Sequence, residues 1–151
     1  MKQQGATYLI LLIALALMSL ASAMSLSAGH SLALRDKEIE LLFIGQQFRA
    51  ALLSYEQHSP VGALPRPSEL QQLLTDDRSP VPRRHLRRRF VDPLTGRDEW
   101  GLLKDNSGRI VGVYSLANGR PVKQDKFEAP FENFRGSERY SKWIFSPYPL
   151  V

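Results

Sequence analysis

The residues able to do chemistry are few and scattered. The chain has no cysteine, which removes thiol catalysis, cysteine-ligated zinc, disulfide stapling and a lipid-bearing cysteine. Its three histidines, His30, His58 and His85, lie far apart, and no two fall at i, i+4 on one helix face. Neither an H-E-x-x-H nor a G-x-S-x-G pattern occurs. Asp105-Asn106-Ser107-Gly108 has oxygen ligands suited to calcium, but the EF-hand spacing and its closing glutamate are missing. It reads as a hairpin loop. No catalytic residue, metal site or cofactor is expected, and the chain reads as a non-enzymatic protein.

One stretch is chemically concentrated. Arg83, Arg84, Arg87, Arg88 and Arg89 fall within seven residues, in a chain whose formal net charge is +5. Three readings compete. The arginines are solvated or bridged to nearby acids such as Asp76, Asp77 and Asp92; this is the favoured reading. They form a docking surface for an acidic partner, the second. They bind nucleic acid, the least favoured, because Phe90 is the one aromatic beside them to stack on a base.

The elements that would present such a surface begin with the opening MKQQGATYLILLIALALMSLASA. As a signal peptide it has one basic residue, Lys2, a short apolar run over 8–18, and an A-x-A cleavage pattern ending at Ala23. As a retained helix it has no charge, glycine or proline from Ala6 to Ala28. About 23 residues at ~1.5 Å each give ~34 Å, enough for a bilayer core of ~30 Å. Its serines can bond back to carbonyls one turn earlier. The residues after Ala28 decide between the two. Leu41, Ile44, Phe48, Leu52 and Tyr55 recur at spacings of three and four, one stripe of an amphipathic helix. Arg35, Asp36, Lys37, Glu38 and Glu40 fill a solvated turn between the two halves, and Gly29 and Gly45 are the poor helix formers. The expectation is one helix over 6–55, apolar first and amphipathic second.

The segment Lys2-Gln3-Gln4-Gly5-Ala6-Thr7-Tyr8-Leu9 resembles the start of type IV pilins and type II secretion pseudopilins. That resemblance implies a leader over residues 1–5, cleaved by prepilin peptidase between Gly5 and Ala6, with Ala6 as a new N-methylated terminus. It implies a transmembrane half over 6–28 and a periplasmic domain over 29–151. The partners implied are other pilin or pseudopilin subunits, prepilin peptidase and an inner-membrane assembly platform. The family usually has a glutamate five residues after the cleavage glycine; here that position is Ile10. A membrane carboxylate needs a partner, and its absence points to a minor or atypical subunit. The alternative, from another class, is a periplasmic or secreted binding module released after Ala23.

Beyond Tyr55, Pro- and Gly-rich chain leads to a short helix in which Ser68 caps and Gln71 completes a capping box. Asp92-Pro93-Leu94-Thr95-Gly96 is a turn. Strands are expected over 100–104, 109–115, 120–123 (after an Asn118-Gly119 hairpin turn) and 140–146. The residues between 124 and 138 read as a loop carrying Phe127, Phe131 and Phe134. The fold class is therefore α+β: a long N-terminal helix packed on a small antiparallel sheet, pilin-like. Ile44, Phe48, Leu52 and Tyr55 should meet Trp100, Val111, Val113, Trp143 and Phe145 in the core. The chain is read as a pseudopilin-like subunit, single-pass in the bacterial inner membrane.

Overall fold

The structure, a computed structural model, describes the backbone of residues 4–149 and the side chains of residues 7–19 and 31–149. Its elements are helix α1 (Gln4–Gln57), a single-turn helix α2 (Gln71–Leu74), strands β1 (Gly101–Lys104) and β2 (Ile110–Tyr114), and 3-10 turns over Glu132–Phe134 and Tyr140–Lys142. The chain divides into two units, Met1–Asp36 and Lys37–Val151.

In the first unit, residues 7–19 are helical and exposed on every side. The Ser19 hydroxyl donates to the Leu15 carbonyl at 2.8 Å, the back-bond that lets serine sit inside a helix. The expected membrane half is overturned. No helix among the described residues is long and apolar enough to cross a membrane. The single-pass inner-membrane assignment falls with it. Ala23 and the rest of the expected span over 20–28 lie outside the residues whose side chains are described.

The second unit is α+β, built on the amphipathic half of α1. Leu41, Ile44, Phe48, Ala51, Leu52 and Tyr55 are all buried, one continuous stripe. Burying a large apolar side chain contributes about 1.5–3 kcal/mol, so this stripe holds α1 firmly to the rest of the core. Gly45 lies in it for a steric reason: a Cβ there would fall inside the Phe145 ring. Opposite sit Trp100, Ile110, Val113, Phe134, Trp143 and Phe145. Phe134 stacks on Trp143 with ring centroids 5.6 Å apart, and Phe145 meets Phe134 edge-on at 5.4 Å.

The sheet is smaller than expected. It has two antiparallel strands, paired Leu102 to Val113 and Leu103 to Gly112, then Lys104 to Ile110. Val111 is the extra residue of a β-bulge. The bulge offsets the two-residue alternation, so Ile110 and Val113 both face the core while Val111 is half-buried. The hairpin is closed by Asp105, whose carboxylate accepts the Ser107 and Arg109 N–H groups, and by Gly108 at φ +73°.

The expected strand over 120–123 does not form, because its backbone donors are taken elsewhere. Pro121 has no N–H, and the N–H groups of Val122 and Lys123 donate to the Glu38 carboxylate at 2.6 and 2.9 Å. The segment 140–146 holds a 3-10 turn and one isolated bridge, Val113 to Phe145. The capping box is displaced by one residue: the Gln72 side chain, not Gln71, accepts the Ser68 N–H at 2.7 Å.

Candidate functional site

The arginine-rich segment is an irregular strip held at its ends and middle. Asp76 and Arg83 form an isolated antiparallel bridge, with N–H to carbonyl distances of 2.8 and 3.1 Å. The N–H groups of His85 and Leu86 both donate to the Leu73 carbonyl at the end of α2, at 2.9 and 2.8 Å. Further on, the Trp100 indole N–H donates to the Phe90 carbonyl at 2.9 Å. His85, Leu86 and Phe90 thus point inward as anchors. Arg83, Arg84, Arg87, Arg88 and Arg89 are exposed between them.

Beneath the strip lies a polar clamp centred on Asp76. Its carboxylate accepts from the Arg78 guanidinium through Nε and Nη2, both at 2.8 Å, from the Arg78 N–H, and from His85 Nε2 at 3.1 Å. The bond with Arg78 holds the Asp76 carboxyl well below the usual carboxylate range, against the burial that would raise it. Arg78 also donates to the carbonyls of Tyr55 and Leu64 and to the Ser59 hydroxyl, and lies 3.4 Å from the Tyr55 ring centroid. One guanidinium therefore satisfies an orphan carbonyl at the end of α1 and staples the following loop to it.

The clamp contains a serine–histidine–aspartate chain. The Ser54 hydroxyl is 2.9 Å from His85 Nδ1, and Nε2 faces Asp76. With the proton on Nε2, the ring donates to Asp76 and accepts from Ser54. The connectivity is that of a nucleophile–base–acid relay. Yet the His85 side chain is 2% exposed, and the Asp76 charge is matched by Arg78. Here the chain of bonds ties α1 to the strip. Sequence reasoning missed it, because no linear spacing joins Ser54, Asp76 and His85.

Two of the acids expected to bridge the strip, Asp76 and Asp92, are committed elsewhere, and the arginines are exposed. Asp76 is committed to Arg78 and His85. Asp92 is buried, accepting the Ser115 hydroxyl at 2.6 Å and the Leu94 N–H at 2.9 Å. Neither neutralises the cluster. Arg89 approaches Asp98 at 3.7 Å, both well exposed, and Arg88 lies 5.1 Å from the Phe90 ring centroid. Among the described residues, Arg83, Arg84, Arg87 and Arg88 enter no ion pair.

Of the other sequence-predicted positions, Ile10 is exposed on α1. Gly5, Ala6 and His30 fall outside the residues whose side chains are described. His58 bonds the Ser54 carbonyl through Nδ1 at 2.8 Å. The described residues contain no group of three or more metal-ligating side chains. No family model, curated protein or solved structure matches the chain.

Proposed function

We propose that this chain is a non-enzymatic structural subunit, pseudopilin-like, of a type II secretion or type IV pilus-related assembly. The observation that carries this reading is the helix over residues 7–19. Leu9, Ile10, Leu11, Leu12, Ile13, Leu15 and Leu17 are 44–65% exposed and cover it on all sides. A helix apolar all round is buried when it works, and an apolar surface this continuous marks an interaction site. The leader pattern around Gly5 and Ala6 indicates the occupant: the corresponding helices of other pilin or pseudopilin subunits. Prepilin peptidase and an assembly platform are the further partners of this reading. Ile10 in place of a carboxylate makes the subunit a minor one that adds to an assembly others build.

A photo-reactive residue at Ile10, introduced into the full chain and co-expressed with a set of pilin-like subunits, tests this. Cross-links to a second subunit through its own N-terminal helix are the expected outcome. Cross-links absent there, but present from an exposed position of the second unit such as Arg120, would overturn it.

A further inference from the structure

The arginine strip borders an apolar crevice, and the two together describe a ligand. The crevice encloses about 50 Å³ and is lined by Leu70, Leu74, Leu86, Phe90 and Trp100, with the Arg89–Asp98 pair at its rim. Leu70, Leu74 and Phe90 are half-buried. An engineered cavity of ~150 Å³ holds benzene, so a third of that volume suits the tip of an aliphatic side chain. Arg89 lines it, Arg88 lies over the ring of Phe90, and Arg87 adjoins them in the chain; all three are exposed, with the Asp76 and Asp92 carboxylates committed elsewhere. None of the cluster is lysine. Guanidinium groups are more weakly hydrated than ammonium and match a carboxylate with two parallel donors.

We infer that this face docks an acidic protein segment, its carboxylates on Arg87, Arg88 and Arg89 and one aliphatic side chain in the crevice. This docking does not depend on how the N-terminal helix is used. Charge complementarity sets the sign of the partner, and the crevice sets its register. Nucleic acid fits less well. Phe90 is the one aromatic within the strip, it is half-buried, and Arg88 lies over its ring, so there is no row of rings on which successive bases could stack.

Fluorescence anisotropy with the full chain tests this. The probe is a fluorescein-labelled peptide with one leucine flanked by aspartates and glutamates. It should bind, and binding should weaken as salt rises from about 50 to about 300 mM. Replacing its leucine by glycine should weaken it about ten-fold. The triple change Arg87→Gln, Arg88→Gln, Arg89→Gln should weaken it at least ~10-fold with an unchanged circular dichroism spectrum, while Arg120→Gln leaves it unaltered. Three outcomes overturn the proposal: no binding up to about 1 mM, equal binding of the leucine and glycine peptides, or tighter binding of duplex DNA than of the peptide. If the triple variant fails to fold, the leucine–glycine comparison on the unaltered chain still decides.

Discussion

Changing Gly45→Ala separates helix propensity from packing. Position 45 is inside α1, and by propensity alone alanine should stabilise it by about 0.8–1 kcal/mol. The structure predicts the opposite sign. An added Cβ falls inside the Phe145 ring, which is 0% exposed. That ring cannot step aside cheaply. Its backbone is bonded both ways to Val113, at 2.8 and 3.2 Å, and its face is packed by Phe131 and Phe134 at 5.6 and 5.4 Å. Overpacking costs about 1–3 kcal/mol, and an overlap with ring atoms belongs at the upper end. Less the propensity gain, the net loss is about 2 kcal/mol. Urea unfolding of the full chain should show a lower midpoint with an unchanged slope. The double variant Gly45→Ala, Phe145→Leu should lose less than the sum of its parts, by ~1 kcal/mol or more. A Gly45→Ala chain as stable as the parent would refute the close approach of α1 to residue 145.

Glu38→Gln keeps shape but turns one acceptor into a donor facing the N–H groups of Val122 and Lys123 and the Tyr140 hydroxyl, which lies 2.7 Å from Glu38 Oε1. The expected loss is about 2–3 kcal/mol by urea unfolding, and a loss under ~0.5 kcal/mol would contradict the cradle. Asp76 supplies a pH dependence. Its folded-state pKa lies below the unfolded value of ~3.9. Its contribution is therefore present in full above about pH 5 and is lost as pH falls through and below ~4. Asp76→Asn should destabilise the chain at about pH 7 by about 3 kcal/mol and flatten the acid limb of midpoint against pH; an unchanged limb would show that other carboxylates govern it.

The stripe Ile44, Phe48, Leu52, Tyr55 was legible because helical spacing is a local property, and every member is buried. Trp100, Val113, Trp143 and Phe145 were legible as bulky apolar residues with one place to go. Glu38 was not. It reads as part of a charged, solvated turn, yet it is 1% exposed. The signal was present, since it lies three residues before Leu41 on the same stripe. The reason it is tolerated there, the donors at 122, 123 and 140, is distant in sequence, 84 to 102 residues away. The same long reach explains the lost strand over 120–123: the donors at 122 and 123 satisfy Glu38 rather than a ladder. The Asp76 clamp depends on loops meeting the end of α1, which no period encodes. The arginine cluster was visible as solvated or acid-bridged side chains; the five are exposed, and the Asp76 and Asp92 carboxylates are already taken by Arg78 and Ser115.

An assembly subunit that works through its N-terminal helix must have its leader cut in the right place. Intact mass and N-terminal sequencing of the full chain, expressed with and without a prepilin peptidase, measure that directly. The predicted result is loss of residues 1–5 only when the peptidase is present, leaving Ala6 as the terminus. A mature protein beginning at Met24 in both cases would contradict the assembly role and identify instead a domain released by signal peptidase.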